Sequence, residues 1–345
     1  MASVEKTKSG KWSCRIYLGK KNGKDVYKRI TADTRREAEH KAHVYLDEHP
    51  VNRSGSDMTV KEAMETYVEA KNEILSPSTI AGYKRIIAHR FIDIQNEPIT
   101  MITREELQAA VNKEAASLSP KSVSNAVGLL TAAFSMFKID ITGLTLPQKK
   151  KTEIVIPTDD ELEQIVTAAE EWGISLPVHL AAYMGMRRSE IAALDLEKDV
   201  NLEAKTLRIN KAVVAGEGNA YITKGTKTTN STRSLPIPSV VLPVIQKAVE
   251  EKQVSLTPGA IEGRFIKMKR AIGLEHITFH SLRHYFASTL VVMDVPDFYA
   301  MKLMGHSSDR MLKNVYQHVR QEYMDEISQK MDDFFAEKNK NMTTA

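Results

Sequence analysis

The chain has 345 residues, enough for two or three domains, and 42% of them are hydrophobic, enough for real cores. There are 48 Lys and Arg against 44 Asp and Glu, a net charge of only +4. The one cysteine, Cys14, excludes an intramolecular disulfide and fits a reducing cytoplasm. The polar opening residues lack the apolar core of a secretion signal, and no apolar run is long enough to span a bilayer, so no membrane partner is expected.

The charge is unevenly spread. Residues 1–55 hold 13 Lys and Arg against 7 Asp and Glu, a balance of +6, so the rest of the chain sums to −2 (+4 minus +6). A small basic module is the footprint expected of phosphate contact, although a solvated tail has the same composition. Residues 11–18 alternate like a strand, with Trp12, Cys14, Ile16 and Leu18 on one face. Asn22-Gly23 is a hairpin turn signal, followed by a second strand over residues 25–30. Thr34 then caps a helix with Ala38, Ala42, Tyr45 and Leu46 at helical spacing. The expected product is a small sheet with one packed helix, carrying Arg15, Lys20, Lys21, Lys24, Lys28 and Arg29. Residues 52–57 are polar and turn-forming and are expected to be a linker.

Residues 58–148 are expected to be nearly all helical. Ser76-Pro77 and Ser119-Pro120 each put Ser at an N-cap and Pro at the first helical position. Charges nearly balance, so composition alone describes an ordinary bundle. The candidates for a nucleic-acid face are Thr79, Tyr83, Lys84, Lys121 and Asn125, which solvated helix faces would explain almost equally. Residues 147–151 are basic, contain Pro147 and are expected to form a second linker, a tether that would let two domains close around a duplex.

From residue 152 onward, Thr158-Asp159-Asp160-Glu161 is a capping box that opens a helix. A second helix is expected over 177–194, then short strands at 206–214 and 221–222, then helices. Within this segment stand Arg187 and Glu190, His280 with Arg283 and His284, Gly305-His306, and Tyr316. Two guanidinium forks suit the non-bridging oxygens of a phosphodiester, because each donates parallel bonds and stays charged. His280 and His306 add donors to the same oxygens. Tyr316 offers a phenol nucleophile whose phosphotyrosine product is similar in energy to the bond broken, so no cofactor is needed. His280 and His284 also have a metal pair's spacing, but no carboxylate or cysteine stands beside them at ligand spacing, and no metal is expected.

This set, in this order, resembles the tyrosine recombinase (phage integrase) family. The resemblance implies a multidomain chain: a small α+β arm-binding domain (1–55), an all-α core-binding domain (58–148) and a mostly-α α+β catalytic domain (152–345) of the tyrosine recombinase and type IB topoisomerase type. It resembles the arm-domain kind found in phage and integrative-element integrases. It implies site-specific breakage and rejoining of DNA through a 3′-phosphotyrosine, with Arg187, His280, Arg283, His306 and Tyr316 catalytic. Lys227 is implied as the hairpin general acid, with Lys224, three residues away, as the alternative, and Glu190 as a supporting carboxylate. It further implies double-stranded DNA as partner, a homotetramer on DNA, and an excisionase and host DNA-bending protein as accessories. Met324, Ile327, Met331, Phe334 and Phe335 form an apolar stripe that the resemblance reads as a subunit-contact helix. Rival readings are a type IB topoisomerase, which needs no arm domain, and a non-catalytic DNA-binding regulator, which would have lost a catalytic residue.

Overall fold

The computed structural model describes residues 3–7, 9–21, 24–48, 58–149, 154–216, 218, 220–225, 232–305, 328 and 330–332. The chain divides into two compact units, Met1–Lys151 with Gly216–Gly218, and Thr152–Ala215 with Asn219–Ala345. The expected arm and core-binding segments both fall in the first.

The N-terminal part of the first unit is a three-stranded antiparallel sheet, β1 (Ser3–Lys6), β2 (Trp12–Lys21) and β3 (Lys24–Ala32), in the order β1-β2-β3, with α1 (Arg35–Glu48). Cys14, Ile16, Ala32, Ala38 and Ala42 are buried together, with Trp12, Ile30, Tyr45 and Leu46 packed on them. The alternation of β2 produces most of this: Cys14 and Ile16 pack on the helix side while Arg15 and Tyr17 are on the other face, although Ser13 is buried as well, at 1% exposure. β1 was not expected, because Val4 is its one large apolar residue and leaves no alternation to read. It is held by pairing from Ser3↔Arg15 to Lys6↔Trp12. The Asn22-Gly23 turn lies outside the described residues.

A helical bundle follows, with α2 (Val60–Ala70), α3 (Pro77–His89), α4 (Arg104–Ala115) and α5 (Pro120–Met136). Ser76 accepts a bond from the Thr79 N–H and Ser119 from the Ser122 N–H, so both Ser-Pro pairs start helices. Met64, Leu107, Leu129, Leu130 and Phe134 lie fully inside the bundle.

In the second unit, α6 (Asp159–Glu171) begins at the Thr158–Glu161 capping box. One helix was expected over 177–194; two form instead, α7 (Ser175–Met184) and α8 (Arg188–Ile191). The break is at Gly185, whose φ of +62° ends α7 in the left-handed conformation, where a Cβ would collide with the Phe286 ring. After α9 (Leu196–Asp199) come β4 (Val200–Asn201), β5 (Thr206–Ile209), β6 (Lys211–Ala215), β7 (Tyr221–Gly225) and β8 (Arg233–Pro236). The strand expected over 206–214 is thus two strands in different sheets: β4-β5-β8 is one sheet and β6-β7 the other. The unit continues with α10 (Leu242–Glu250), α11 (Pro258–Ala271), α12 (Phe279–Val292) and α13 (Asp297–Met304). Its core runs from Ile165 and Leu180 through Leu207 and Leu235 to Phe265 and Leu282. Among the described residues no helix is long and apolar enough to cross a membrane.

Candidate active site

Three chain turns meet around one carboxylate. The break at Gly185 makes Arg187 the N-cap of α8, in extended conformation with φ −76° and ψ 145°. From there its N–H donates to Glu190 Oε2 (2.9 Å), one terminal nitrogen to Glu190 Oε1 (2.8 Å), and the other to the Gly305 carbonyl (2.8 Å). A continuous helix would have turned Arg187 elsewhere, so the left-handed glycine places the side chain. Arg283, on the second turn of α12 and 1% exposed, donates to the Gly185 and Met304 carbonyls, the latter at 2.6 Å. It therefore ties the turn before Arg187 to the end of α13, and Gly305 follows at once.

Sequence reading did not find Arg233. It begins β8, is 6% exposed, and its two terminal nitrogens reach Glu190 Oε1 (3.1 Å) and Oε2 (2.9 Å). Its Nε donates to the Leu303 carbonyl at 2.8 Å. A period-2 signal was present, since Arg233, Leu235 and Ile237 share the inward face. That signal puts the arginine inside but does not show which carboxylate it meets.

The electrostatics follow from this packing. Burial alone would raise the Glu190 carboxyl; the hydrogen bond and charge of Arg233, then the N–H and charge of Arg187, overcome it and hold the group at about 2. Burial, then the charge of Arg187, push the Arg283 guanidinium down to about 9, still a cation at neutral pH. Arg187, Arg233 and Arg283 against Glu190 leave +2 (three minus one) in these four groups, a charge suited to a phosphodiester.

His280 keeps a solvent-facing edge, yet the packing around it and the charges of Arg283, Arg187 and Arg188 push its imidazole below the usual range. His284 packs edge-on to it, ring centroids 4.7 Å apart, and is pushed down to about 4, first by burial and then by His280 and Arg283. Its Nδ1 is buried without a hydrogen-bond partner among the described residues, as a neutral ring tolerates and a cation would not. Acidification should therefore weaken the fold. Below the ordinary value of 6.5 an unfolded chain takes up protons that folded His284 refuses until about pH 4, so stability is lost progressively across that window. With allowance for its partial exposure, the loss from this residue is about 1 kcal/mol. Thermal melts from pH 7 to 4.5 should show a shallower decline in His284→Phe than in wild type; parallel declines would exclude His284 as the cause.

Of the other expected catalytic residues, Lys227, His306 and Tyr316 lie outside the described residues, as do Met324, Ile327, Phe334 and Phe335. Lys224 is described, on β7 opposite Ala212. Arg188 is engaged at the surface with Glu262. Two other tyrosines are otherwise occupied. Tyr285 donates to Asp159 at 2.7 Å, and its phenol is raised to about 12, mainly by burial and then by that bond. Tyr299 stacks edge-on against Phe298 on α13.

The six basic residues of the N-terminal sheet do not share one face. Arg15 pairs with Arg29 and Tyr17 with Tyr27, on the face away from α1, and Arg15 lies 3.5 Å from the Tyr27 ring centroid. Lys28 pairs with buried Ile16 and reaches toward the Tyr45 ring of α1, at 5.7 Å, so it stands on the opposite side from Arg29. Strand alternation is the reason. Lys20, Lys21 and Lys24 sit at the hairpin end of the ladder, their side chains outside the described set. In the bundle, Thr79 shares its hydroxyl with Ser76 in the cap (2.7 Å), and Tyr83 packs on the core near Tyr67. Lys84, Lys121 and Asn125 are exposed.

Residues 156–323 match the phage integrase family, and residues 59–115 match the N-terminal SAM-like domain of phage integrases. A XerC-like tyrosine recombinase of Caldanaerobacter subterraneus subsp. tengcongensis is 24% identical, over 91% of this chain and 93% of that one. The integrase of Staphylococcus phage L54a is 26% identical over 56% of this chain and 66% of its own. Among solved structures, the Tn1549 transposon integrase in complex with transposon right end DNA superposes with a TM-score of 0.65 at 17% identity, covering 79% of this chain and all of that one. A lambda integrase tetramer bound to a Holliday junction gives 0.56 at 19% identity, covering 90% and 94%. These two share the fold. The chain belongs to the phage integrase family of tyrosine recombinases. It is accordingly a site-specific recombination enzyme, and the topoisomerase and regulator readings are not favoured.

Proposed function

We propose that the protein integrates a mobile DNA element by metal-free strand transfer, with Tyr316 as nucleophile. The Tyr316 phenol gives up its proton to solvent as its oxygen attacks the scissile phosphorus in line, the bond to the 5′-oxygen breaks, and Lys227 gives that oxygen a proton, leaving a 3′-phosphotyrosine and a free 5′-hydroxyl. Arg187, Arg283, His280 and His306 hold the non-bridging oxygens, and a neutral His280 serves as a hydrogen-bond donor. The single observation that supports this most is the convergence of Arg187 and Arg283 on the carbonyls of Gly305 and Met304, immediately before His306 in the chain. The partner is double-stranded DNA and the working form a homotetramer, as in the lambda integrase tetramer on a Holliday junction. Residues 1–55 bind arm sites through Arg15 and Arg29, residues 58–148 bind core sites, residues 152–345 carry catalysis, and the stripe ending at Phe334 and Phe335 contacts a neighbouring subunit. Action in a bacterial cytoplasm, with an excisionase and a DNA-bending protein assisting, completes the reading.

The test is to introduce the gene with its flanking DNA into recipient cells, sequence the junctions, and challenge the purified protein with a nicked duplex carrying the recovered core. Wild type should give junctions at one short shared core and a covalent protein–DNA adduct, and Tyr316→Phe neither while still binding the duplex. An adduct formed by Tyr316→Phe would overturn the assignment of the nucleophile.

A further inference from the structure

The side chain that organises the site from behind is one that no part of the strand-transfer scheme uses. Arg233 is buried at the start of β8, where Ile209 pairs with it across the sheet. Its guanidinium makes a two-point bond to Glu190 and its Nε holds the Leu303 carbonyl. Glu190 in turn fixes both the backbone and the guanidinium of Arg187. Gly305, with φ of +62°, lies against the same group: a Cβ there would stand 2.6 Å from an Arg233 terminal nitrogen and 3.5 Å from one of Arg187. One side chain thus joins the β4-β5-β8 sheet, the α8 N-terminus and the α13 turn.

We propose that Arg233 is a positioning residue for strand transfer: by fixing Glu190 in place and in charge, it aims the Arg187 guanidinium at the scissile phosphate. The proposal rests on the strand-transfer reading above. Its physical basis is that a carboxylate as buried as Glu190, 4% exposed, stays ionised only while cations face it. Those that do are Arg233 from β8, Arg187 from α8 and, at longer range, Arg283 from α12. Without the two-point bond from Arg233, the carboxyl titrates upward and loses the orientation that Arg187 depends on.

The experiment measures single-turnover cleavage of the nicked core duplex by the full chain. Wild type is compared with Arg233→Ala, Arg233→Lys, Arg187→Ala, the double variant Arg233→Ala/Arg187→Ala, and Tyr316→Phe. Arg233→Ala is expected to cleave about 100-fold more slowly, with the half-saturating DNA concentration changed less than about threefold. In the Arg187→Ala background the same change should slow cleavage by less than about threefold, because the two act as one unit. At acid pH the rate of Arg233→Ala should rise more steeply with pH than that of wild type, as Glu190 titrates. A merely structural role moves neither the cycle nor the pH profile. If Arg233→Ala does not fold, Arg233→Lys carries the test: it keeps one charge, loses the fork, and should retain part of the rate while showing the same pH rise. Wild-type rates in the folded variant, or equal losses with and without Arg187, would overturn the positioning role and leave strand transfer standing. No adduct from wild type, or an adduct from Tyr316→Phe, would overturn strand transfer as read here, and this role with it.

Discussion

Arg283→Ala should slow adduct formation on the core duplex by about a thousandfold, the largest loss expected from any residue outside the tyrosine. Arg283 is the largest fully buried side chain of the chain's described part, at 1% exposure, and both its terminal nitrogens donate to backbone carbonyls, of Gly185 and Met304. Alanine removes one of the cations that give the site its excess charge and also unfastens the two turns that carry Arg187 and precede His306. Each carbonyl left without a partner costs about 1–3 kcal/mol, so the melting temperature should fall as well. Arg283→Lys separates the effects. It keeps the charge, but one ammonium does not span two carbonyls as a fork does, so stability should recover only in part while cleavage stays at least tenfold down, about 1.4 kcal/mol in barrier. Cleavage by folded Arg283→Ala within about tenfold of wild type would show that this guanidinium is a structural tie alone.

Glu190→Ala should be the most destabilising single change in the site, by about 3–5 kcal/mol in urea unfolding, because it strands buried Arg233 and half-buried Arg187 without their shared anion. Glu190→Gln keeps the shape and one carbonyl acceptor and should lose less. The pH dependence has a definite sign. The carboxyl is held at about 2 against an ordinary 4.5, so its contribution is complete above pH 4.5 and is lost as the pH falls toward 2. That window lies below the one assigned to His284, and the two are separable in one acid titration of stability. A Glu190→Ala protein as stable as wild type would mean that the arginines are solvated when the carboxylate is gone.

Local signals in the chain were sufficient wherever the deciding interaction spans few residues. The capping residues Ser76, Ser119 and Thr158 start helices where expected, because a side-chain oxygen reaches a backbone N–H three residues on. The alternation from Trp12 to Ile16 gives a strand with a buried face for the same reason of short range. The motifs around Arg187, His280 and Arg283 pointed to the family, since residue type and order survive in the primary structure. Where the range grew, the reading lost detail. The helix expected through Arg187 is broken by Gly185, whose left-handed backbone is settled by the Phe286 ring packed where a Cβ would be. The strand over 206–214 divides between two sheets, because β5 pairs with β8 and β6 with β7.

The sequence by itself determined the class of the protein, the helix starts and the apolar face of the N-terminal sheet. Only the tertiary structure decided that the Arg283 guanidinium ties two turns together, and that Arg233 shares Glu190 with Arg187. The physical reason is common to both. A charge's role depends on what is desolvated around it, and the partners of a buried charge come from distant parts of the chain, brought together when the core closes.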